Sequence, residues 1–129
     1  MKKIENFEKA LTNLQEIYQY QEPYETIILT GMVALFEICF EQAWKAMKEH
    51  LEYHGINTAP SGSPRIIIKS AYQAGFLHDE TNWLEALHSR NYVAHAYNEE
   101  IALDIIHKTK TQYVTMFEDL LENLKNNPL

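Results

Sequence analysis

Residues that interrupt helices are scarce in this 129-residue chain, which has only four glycines and four prolines. They concentrate between Gly55 and Pro64. Because glycine and proline mark most turns, the remaining sequence favours a few long helices. A chain of this length can bury one hydrophobic core without disulfides or metals, so we predict a single domain over residues 1–129.

Cysteine is almost absent, and the single Cys39 lies in an apolar run where a small buried thiol is expected. A chain without an internal disulfide suits a reducing compartment. The first residues lack the apolar core of a signal peptide. The most apolar segment, Ile27 to Phe40, is interrupted by Glu37 and is shorter than the ~20 residues needed to span a bilayer. We therefore expect a soluble, cytoplasmic protein without membrane association.

Positive charge is also scarce, since 11 basic against 18 acidic residues give a net charge of −7. Nonspecific nucleic-acid binding depends on Lys and Arg neutralising phosphates, so this composition excludes a general nucleic-acid binder. Any nucleic-acid role must come from a local positive site. The candidates for phosphate or RNA contacts are Lys45, Arg65, Lys69 and Arg90.

What the chain does have is apolar residues at helical spacing. They predict an amphipathic helix from Ile4 to Ile17 or Tyr18, and Pro23 then marks either position N1 of the next helix or a short turn. The second helix should run from about Tyr24 to Tyr53. Its apolar residues fall on two lines along the helix. An apolar surface this wide would be explained if the helix faced both a core and a second subunit.

The third helix is predicted to begin at Ser63-Pro64, as N-cap and N1, and to end near Phe76. Its β-branched run, residues 66–68, is also typical of a strand, but the Ser-Pro start and the helical neighbours favour a helix. Gly55 can supply the left-handed cap that ends the second helix.

Two more helices follow. Asp79 or Thr81 caps the fourth, and Asn98, followed by two glutamates, caps a last helix that continues to about Lys125. The whole pattern predicts an all-α, up-and-down bundle of four to five helices.

Histidine pairs in the sequence do not predict a metal site. His50 and His54 are four apart, but two imidazoles near a helix C-terminus more often complement the helix dipole, and no third ligand is evident. Glu85 and His88 form one Glu-x-x-His pair, whereas di-iron bundles need two. We predict neither a metal nor a cofactor.

The chemistry concentrates in residues 89–98. Arg90 and His95 are five apart, so on one ideal helix they would differ by about 140° in direction. They can act together if the helix ends near Ala94, or if they reach one point from neighbouring sides of a cleft. A symmetric dimer would also solve the geometry, by bringing Arg90 of one chain to His95 of the other.

An arginine and a histidine together, without a metal, suit phosphodiester chemistry on RNA. Histidine can move a proton near neutral pH, and arginine can clamp the phosphate. The structural alternative is that Arg90 pairs with Glu85 or Glu99 while His95 satisfies a helix end.

A second ambiguity concerns the stripe formed by Glu37, Glu41 and Lys45 at four-residue spacing. These residues form helix-stabilising pairs along the helix, or one carboxylate crosses the bundle to orient Arg90 or His95. Spacing alone leaves both interpretations open.

Beyond these arguments, the stretch Arg90-Asn91-x-x-x-His95-x-Tyr97 resembles the R-x4–6-H signature of the HEPN superfamily in its R-N-x3-H-x-Y form. The segment from Leu35 to Lys45 is similar to the F-E-x-x-F-E-x-x-W-K helix of such proteins. Similar residues also occur at Ser63-Pro64-Arg65, Ala71, Trp83-Leu84 and Tyr97-Asn98-Glu99. The subgroup is the one labelled nucleotidyltransferase substrate-binding protein.

This resemblance implies a helical homodimer with Arg90 and His95 lining a cleft at the interface. Active members are metal-independent RNases, several of them toxins. Members with this form of the motif are encoded beside a minimal nucleotidyltransferase. In such toxin–antitoxin pairs the nucleotidyltransferase is the antitoxin and adenylylates the motif tyrosine, here Tyr97. We therefore expect Arg90 and His95 to be catalytic, with Asn91 in support. The alternative is a noncatalytic subunit that docks on a separate nucleotidyltransferase.

Overall fold

The computed structural model describes residues 2–56 and 62–128. Its helices are α1 (Lys2–Leu14), α2 (Thr26–Tyr53), α3 (Pro64–Gln73), α4 (Glu80–Asn91), α5 (Glu99–Lys108) and α6 (Val114–Asn126). Short 3-10 turns follow α1 and α4, at Gln15–Gln19 and Val93–His95. A π turn, Thr109–Tyr113, joins α5 to α6, so these two form one continuous rod. All regular structure in the described ranges is helical, and the predicted all-α bundle is confirmed.

Helix α2 is the one around which the others pack, because it contacts α1, α3, α4, α5 and α6. Aromatic rings fill the space between them. Phe36 of α2 stacks on Tyr113 with ring centroids 5.4 Å apart, and Trp83 meets Phe117 edge-on at 5.5 Å. Burying these large rings supplies much of the hydrophobic stabilisation of the bundle.

The two apolar lines predicted on α2 lie mostly in the core of its own chain. The width of the apolar surface is therefore explained without a second subunit, and the homodimer stays a prediction. What α2 leaves uncovered is a narrower stripe. This stripe, called here the α2 seam, consists of Ile27, Gly31, Ala34 and Ile38, and its two isoleucines are 84% and 51% exposed.

The length of α2 corrects another expectation. On length and composition alone its 28 residues could cross a membrane, although the apolar run Ile27–Phe40 looked too short. Its buried side chains nevertheless pack against the other helices, as those of the central helix of a bundle do. The cytoplasmic location and the absence of membrane association stay predictions.

Side-chain caps begin the helices at the predicted residues. Ser63 accepts a hydrogen bond from the backbone N–H of Ile66 at 3.4 Å, and Asp79 accepts one from that of Asn82 at 3.0 Å. The helical interpretation of residues 66–68 is thus confirmed, and Asp79 rather than Thr81 is the cap.

The helix boundaries agree only in part with expectation. Pro23 lies in a short turn before α2, which is one of the two predicted alternatives, whereas α3 ends at Gln73, before the predicted Phe76. Gly55 does adopt the left-handed conformation expected after α2, with φ of +77°. The part of the predicted loop at residues 57–61 lies outside the described residues.

The last predicted helix is interrupted by the π turn. Thr109 donates a hydrogen bond from its hydroxyl to the carbonyl of Ile105 at 2.6 Å, and Thr111 does the same to His107 at 2.8 Å. Such bonds back to the preceding turn compete with regular helix geometry and bend helices. The apolar face continues through the turn, so periodicity could not reveal the interruption.

Within the π turn, Tyr113 is fully buried and its hydroxyl oxygen lies 2.7 Å from that of Ser89, which is 4% exposed. Burial raises the pKa of Tyr113 to about 12; the bond with Ser89 opposes this rise, and Glu85 and Asp104 add to it. The phenol therefore stays protonated. This bond attaches the last turn of α4 to the core.

We expect Ser89→Ala to lower the free energy of unfolding by about 1–3 kcal/mol, because the buried Tyr113 hydroxyl would lose its partner. Tyr113→Phe should cost a similar amount, and the double variant should cost less than the sum. Urea denaturation measures all three, with Thr12→Ala as the control. Thr12 bonds the carbonyl of Glu8 on the exposed surface, and its loss should change stability by about 0.5 kcal/mol or less. Strictly additive costs would show that the two hydroxyls are not coupled.

Candidate functional site

Arg90 lies in the last turn of α4 and reaches across to α2. Its Nη2 atom is 2.5 Å from Oε1 of Glu41. The other carboxylate oxygen of Glu41 accepts a hydrogen bond from Nε1 of Trp44 at 3.0 Å. The side chains of Arg90 and Glu41 are 28% and 25% exposed, so the ion pair is largely shielded from water. Trp44 thus orients Glu41, and Glu41 orients Arg90.

This contact decides between the alternatives for the α2 stripe. The structural interpretation paired Arg90 with Glu85 or Glu99. In the structure Arg90 pairs with Glu41 instead. The interpretation in which a carboxylate on α2 orients Arg90 across the bundle is therefore correct for Glu41. A tertiary contact has replaced the expected pairing along the helix.

Arg90 keeps the capacity to bind an anion. Its Nη1 atom makes a long hydrogen bond of 3.4 Å to Oδ1 of Asn91, and Nη2 faces Glu41. A guanidinium carries five N–H donors, and part of this side chain is open to solvent. A phosphate oxygen can therefore approach it while the ion pair remains.

His95 lies beyond the end of α4. The helix stops at Asn91, and the chain then turns through Val93–His95. Of the predicted alternatives, the structure thus shows a helix end before His95, three residues earlier than Ala94, so the 140° separation of an ideal helix no longer applies. The residue is exposed, and its ring centroid is 5.9 Å from that of Tyr92. An exposed imidazole can exchange protons with a bound substrate near neutral pH.

Tyr97 is 89% exposed, the most exposed of the large apolar and aromatic side chains described. The backbone beside it is nevertheless fixed. The N–H of Asn98 donates to the carbonyl of His95 at 3.0 Å, and the Asn98 side chain caps α5 by accepting from the N–H of Glu100 at 2.9 Å. The phenol therefore projects into solvent from an anchored turn, where a modifying enzyme could reach it.

The proposed basic contacts do not form one compact patch. Lys69 lies 3.9 Å from Glu80, at the start of α4, whereas Arg90 is near the end of that helix. Ten residues of helix separate the two places by about 15 Å. Arg65 is exposed on α3, and Lys45 follows Glu41 by one turn on α2. RNA contacts at these lysines and at Arg65 stay predictions.

The histidine pair at the end of α2 has a structural role. His50 is 1% exposed, its Nδ1 is 3.2 Å from the carbonyl of Ala46, and its ring packs edge-on against Phe76. Burial lowers the pKa of His50 below its ordinary value of 6.5, which favours the neutral ring. The contacts of His50 are those of a packed core residue, and the interpretation that the pair complements the helix dipole stays a prediction.

Sequence reasoning missed a groove of about 330 Å³ between the end of α4 and α5. On the α4 side it is lined by His88 and Tyr92, whose ring centroids are 4.7 Å apart. Two aromatic rings four residues apart on a polar helix face were the signal that could have found it.

The fold defines the class of the protein, an all-α helical bundle packed around one long helix. Its family follows from a direct match. Residues 2–126 match the family model described as "Nucleotidyltransferase substrate binding protein like", and the chain belongs to that family.

The chain is also similar to individual proteins. A curated Haemophilus influenzae protein named "Probable ribonuclease HepT" is 29% identical over 80 residues. That match covers 60% of this chain and only 55% of the relative. A solved structure from Thermus thermophilus is 30% identical, with a TM-score of 0.79 over 90% of this chain and 96% of its own.

A second solved structure, from Haemophilus influenzae, has a TM-score of 0.82 at 21% identity and covers 95% of this chain and 98% of its own. It is described as revealing the fold of a substrate binding domain of a nucleotidyltransferase. At this level of identity the likeness extends to the fold alone.

We expect Glu41→Gln to lower the free energy of unfolding by about 1–2 kcal/mol, because the partly shielded Arg90 would lose its counter-ion. Glutamine can still accept the hydrogen bond from Trp44, so the change tests the charge. Glu37→Gln, one turn earlier on the same stripe, is the matched control and should change stability by about 0.5 kcal/mol or less. Urea unfolding midpoints measure both. Equal effects of the two changes would contradict a specific role for the ion pair.

Proposed function

We propose that this chain is a metal-independent endoribonuclease of the HEPN type, a toxin held in check by a nucleotidyltransferase partner that adenylylates Tyr97. The observation that carries the proposal is the Glu41–Arg90 ion pair in the last turn of α4, five residues before the exposed His95. It holds a phosphate-binding group in a fixed orientation at the end of the bundle where the imidazole lies. The name of the HepT relative supports a ribonuclease, and the family description supports a link to a nucleotidyltransferase.

The reaction needs only acid–base chemistry and stabilisation of charge. His95 removes the proton of a ribose 2′-hydroxyl, and the 2′-oxygen attacks the adjacent phosphorus while the bond to the 5′-oxygen breaks. The leaving 5′-oxygen takes a proton from a second imidazole, and the products are a 2′,3′-cyclic phosphate and a free 5′-hydroxyl. Arg90 donates hydrogen bonds to the nonbridging oxygens as negative charge builds on them.

A homodimer would provide both imidazoles, one as base and one as acid. The α2 seam supports such a dimer. Its spacing of four, three and four residues is that of a two-helix seam, and Gly31 and Ala34 at its centre permit close approach. Continued by the same spacing, the seam reaches Glu41 and Lys45, so an α2–α2 contact would lie next to the residues that orient Arg90.

The second candidate function is a noncatalytic subunit that docks on a nucleotidyltransferase. Two observations favour it. The net charge of −7 disfavours RNA binding, and Tyr97, which is 89% exposed, is accessible to a partner enzyme whether or not the protein binds RNA. The two functions agree on the partner and on Tyr97. They differ in whether the unmodified protein cuts RNA.

In an assay on total cellular RNA, the purified protein should produce fragments with 2′,3′-cyclic ends, in the presence of EDTA as well as without it. His95→Ala should lower the rate by roughly 10²- to 10⁴-fold and Arg90→Ala by roughly 10²- to 10³-fold, since each removes a group used in the transition state. His107→Ala is the control, because His107 is an exposed histidine on α5 outside the motif. Cleavage that persists in His95→Ala would falsify the assignment, and intact RNA with the wild-type protein would favour the noncatalytic subunit.

Co-expression with a nucleotidyltransferase encoded beside the gene should add an AMP group to Tyr97. The bulky anion would then obstruct access of phosphate to Arg90, and RNA cleavage should stop. Mass spectrometry of the peptide that holds both Tyr92 and Tyr97 locates the group, and Tyr97→Phe should abolish the modification. Finding the group on Tyr92, or on neither tyrosine, would contradict the proposed control.

A further inference from the structure

The groove between α4 and α5 lies on the side of α4 away from Glu41. Residues two apart on a helix point about 200° from each other, so His88 faces away from the direction of Arg90. Tyr92, which directly follows α4, lines the groove together with His88. The opposite wall belongs to α5 and includes Ile101, Asp104 and Lys108. The groove is therefore a separate feature, although it borders the same helix end.

Three aromatic rings connect this groove to the motif. The ring of His88 is 4.7 Å from that of Tyr92, and the ring of Tyr92 is 5.9 Å from that of His95. Tyr92 is 44% exposed, so its ring is not needed to fill the core. An exposed aromatic ring at the wall of a groove offers a face on which a flat ligand can stack.

The far wall supplies polar groups at the edge of such a ligand. Asp104 forms an ion pair with Lys108 at 3.2 Å, and its side chain is 61% exposed. Glu100 also lines the groove, and Ile101 contributes an apolar surface. The groove thus combines a stacking ring, an apolar wall, carboxylate acceptors and one ammonium donor.

We propose that this groove is a nucleobase subsite, in which a base stacks on Tyr92 and turns its edge towards Glu100, Asp104 and Lys108. This inference deepens the proposed ribonuclease and rests on it, since a nucleotide held there would bring its phosphate to the side of Tyr92 where His95 lies. The same chemistry would hold the base of a free mononucleotide or of an adenylyl group.

The polar wall also implies a preference among bases. Carboxylates accept hydrogen bonds from exocyclic amino groups, which adenine, cytosine and guanine carry and uracil lacks. The subsite should therefore take amino-bearing bases in preference to uracil. Asp104 is the residue that would carry this preference, because its exposed carboxylate can accept a further hydrogen bond while it pairs with Lys108.

The first experiment titrates AMP and UMP into the full-length protein and follows binding by NMR. Tyr92→Leu should weaken AMP binding roughly 5- to 150-fold, which is the range expected for loss of one aromatic stack. Tyr92→Phe keeps the ring and should bind AMP as the wild type does. Tyr72→Leu, at a 46% exposed tyrosine on α3, is the matched control and should have no effect. Asp104→Asn should narrow the difference between AMP and UMP.

The second experiment measures binding of a short RNA whose 2′-hydroxyls are replaced by hydrogen, so that it cannot be cut. If the native RNA is cleaved but Tyr92→Leu binds the analogue and AMP as tightly as the wild type, the subsite is wrong and the ribonuclease stands. If no RNA is cleaved but AMP binding depends on Tyr92, the subsite stands and the ribonuclease fails. Equal losses in Tyr92→Leu and Tyr72→Leu, or no AMP binding at all, overturn the subsite.

Discussion

The ion pair between Glu41 and Arg90 is the contact on which the candidate site depends. Helix α2 passes through the centre of the bundle, so a carboxylate fixed on it has a defined position relative to every other helix. Trp44 holds that carboxylate from the same helix, and the low exposure of the pair strengthens the attraction by limiting screening. The guanidinium is thereby positioned by the core of the protein, and its geometry does not depend on a mobile surface side chain.

Two adjacent residues, Ser89 and Arg90, attach the last turn of α4 to two different helical elements. Ser89 is bonded to the buried Tyr113 on the π turn, and Arg90 is bonded to Glu41 on α2. Immediately afterwards α4 ends, and the cap on Asn98 begins α5. The short segment that carries His95 and Tyr97 is therefore held at both ends while these two side chains stay exposed. An irregular segment between two anchored helix ends can combine a fixed backbone with access to a large substrate.

Local features of the sequence were enough to predict the fold, but they could not predict the tertiary contacts. Caps at Ser63, Asp79 and Asn98 and the helical spacing of apolar residues depend on neighbours within a few positions, so they could be recognised directly. The partner of Arg90 is 49 residues away in the chain, and four glutamates were plausible on charge alone. The π turn could not be predicted from the spacing of apolar residues, because the apolar face continues through it. The spacing of His88 and Tyr92 could have indicated one wall of the groove, but the angle at which α4 meets α5 does not follow from the spacing of either helix.

The acidic net charge and the ion pair between Glu41 and Arg90 both affect how the protein would bind RNA. Glu41 offsets much of the charge that would attract phosphate, so the site gains little affinity from release of counterions around RNA. A ribonuclease built in this way must hold its substrate largely by contacts other than charge. Stacking on exposed aromatic rings is one such contact, and it is insensitive to net charge because every base has a flat face. Tyr92 lies where this contact would be needed, beside His95 and at the wall of the groove. The proposed ribonuclease would therefore prefer strands whose bases are unpaired and free to stack over duplexes that are recognised through their phosphates.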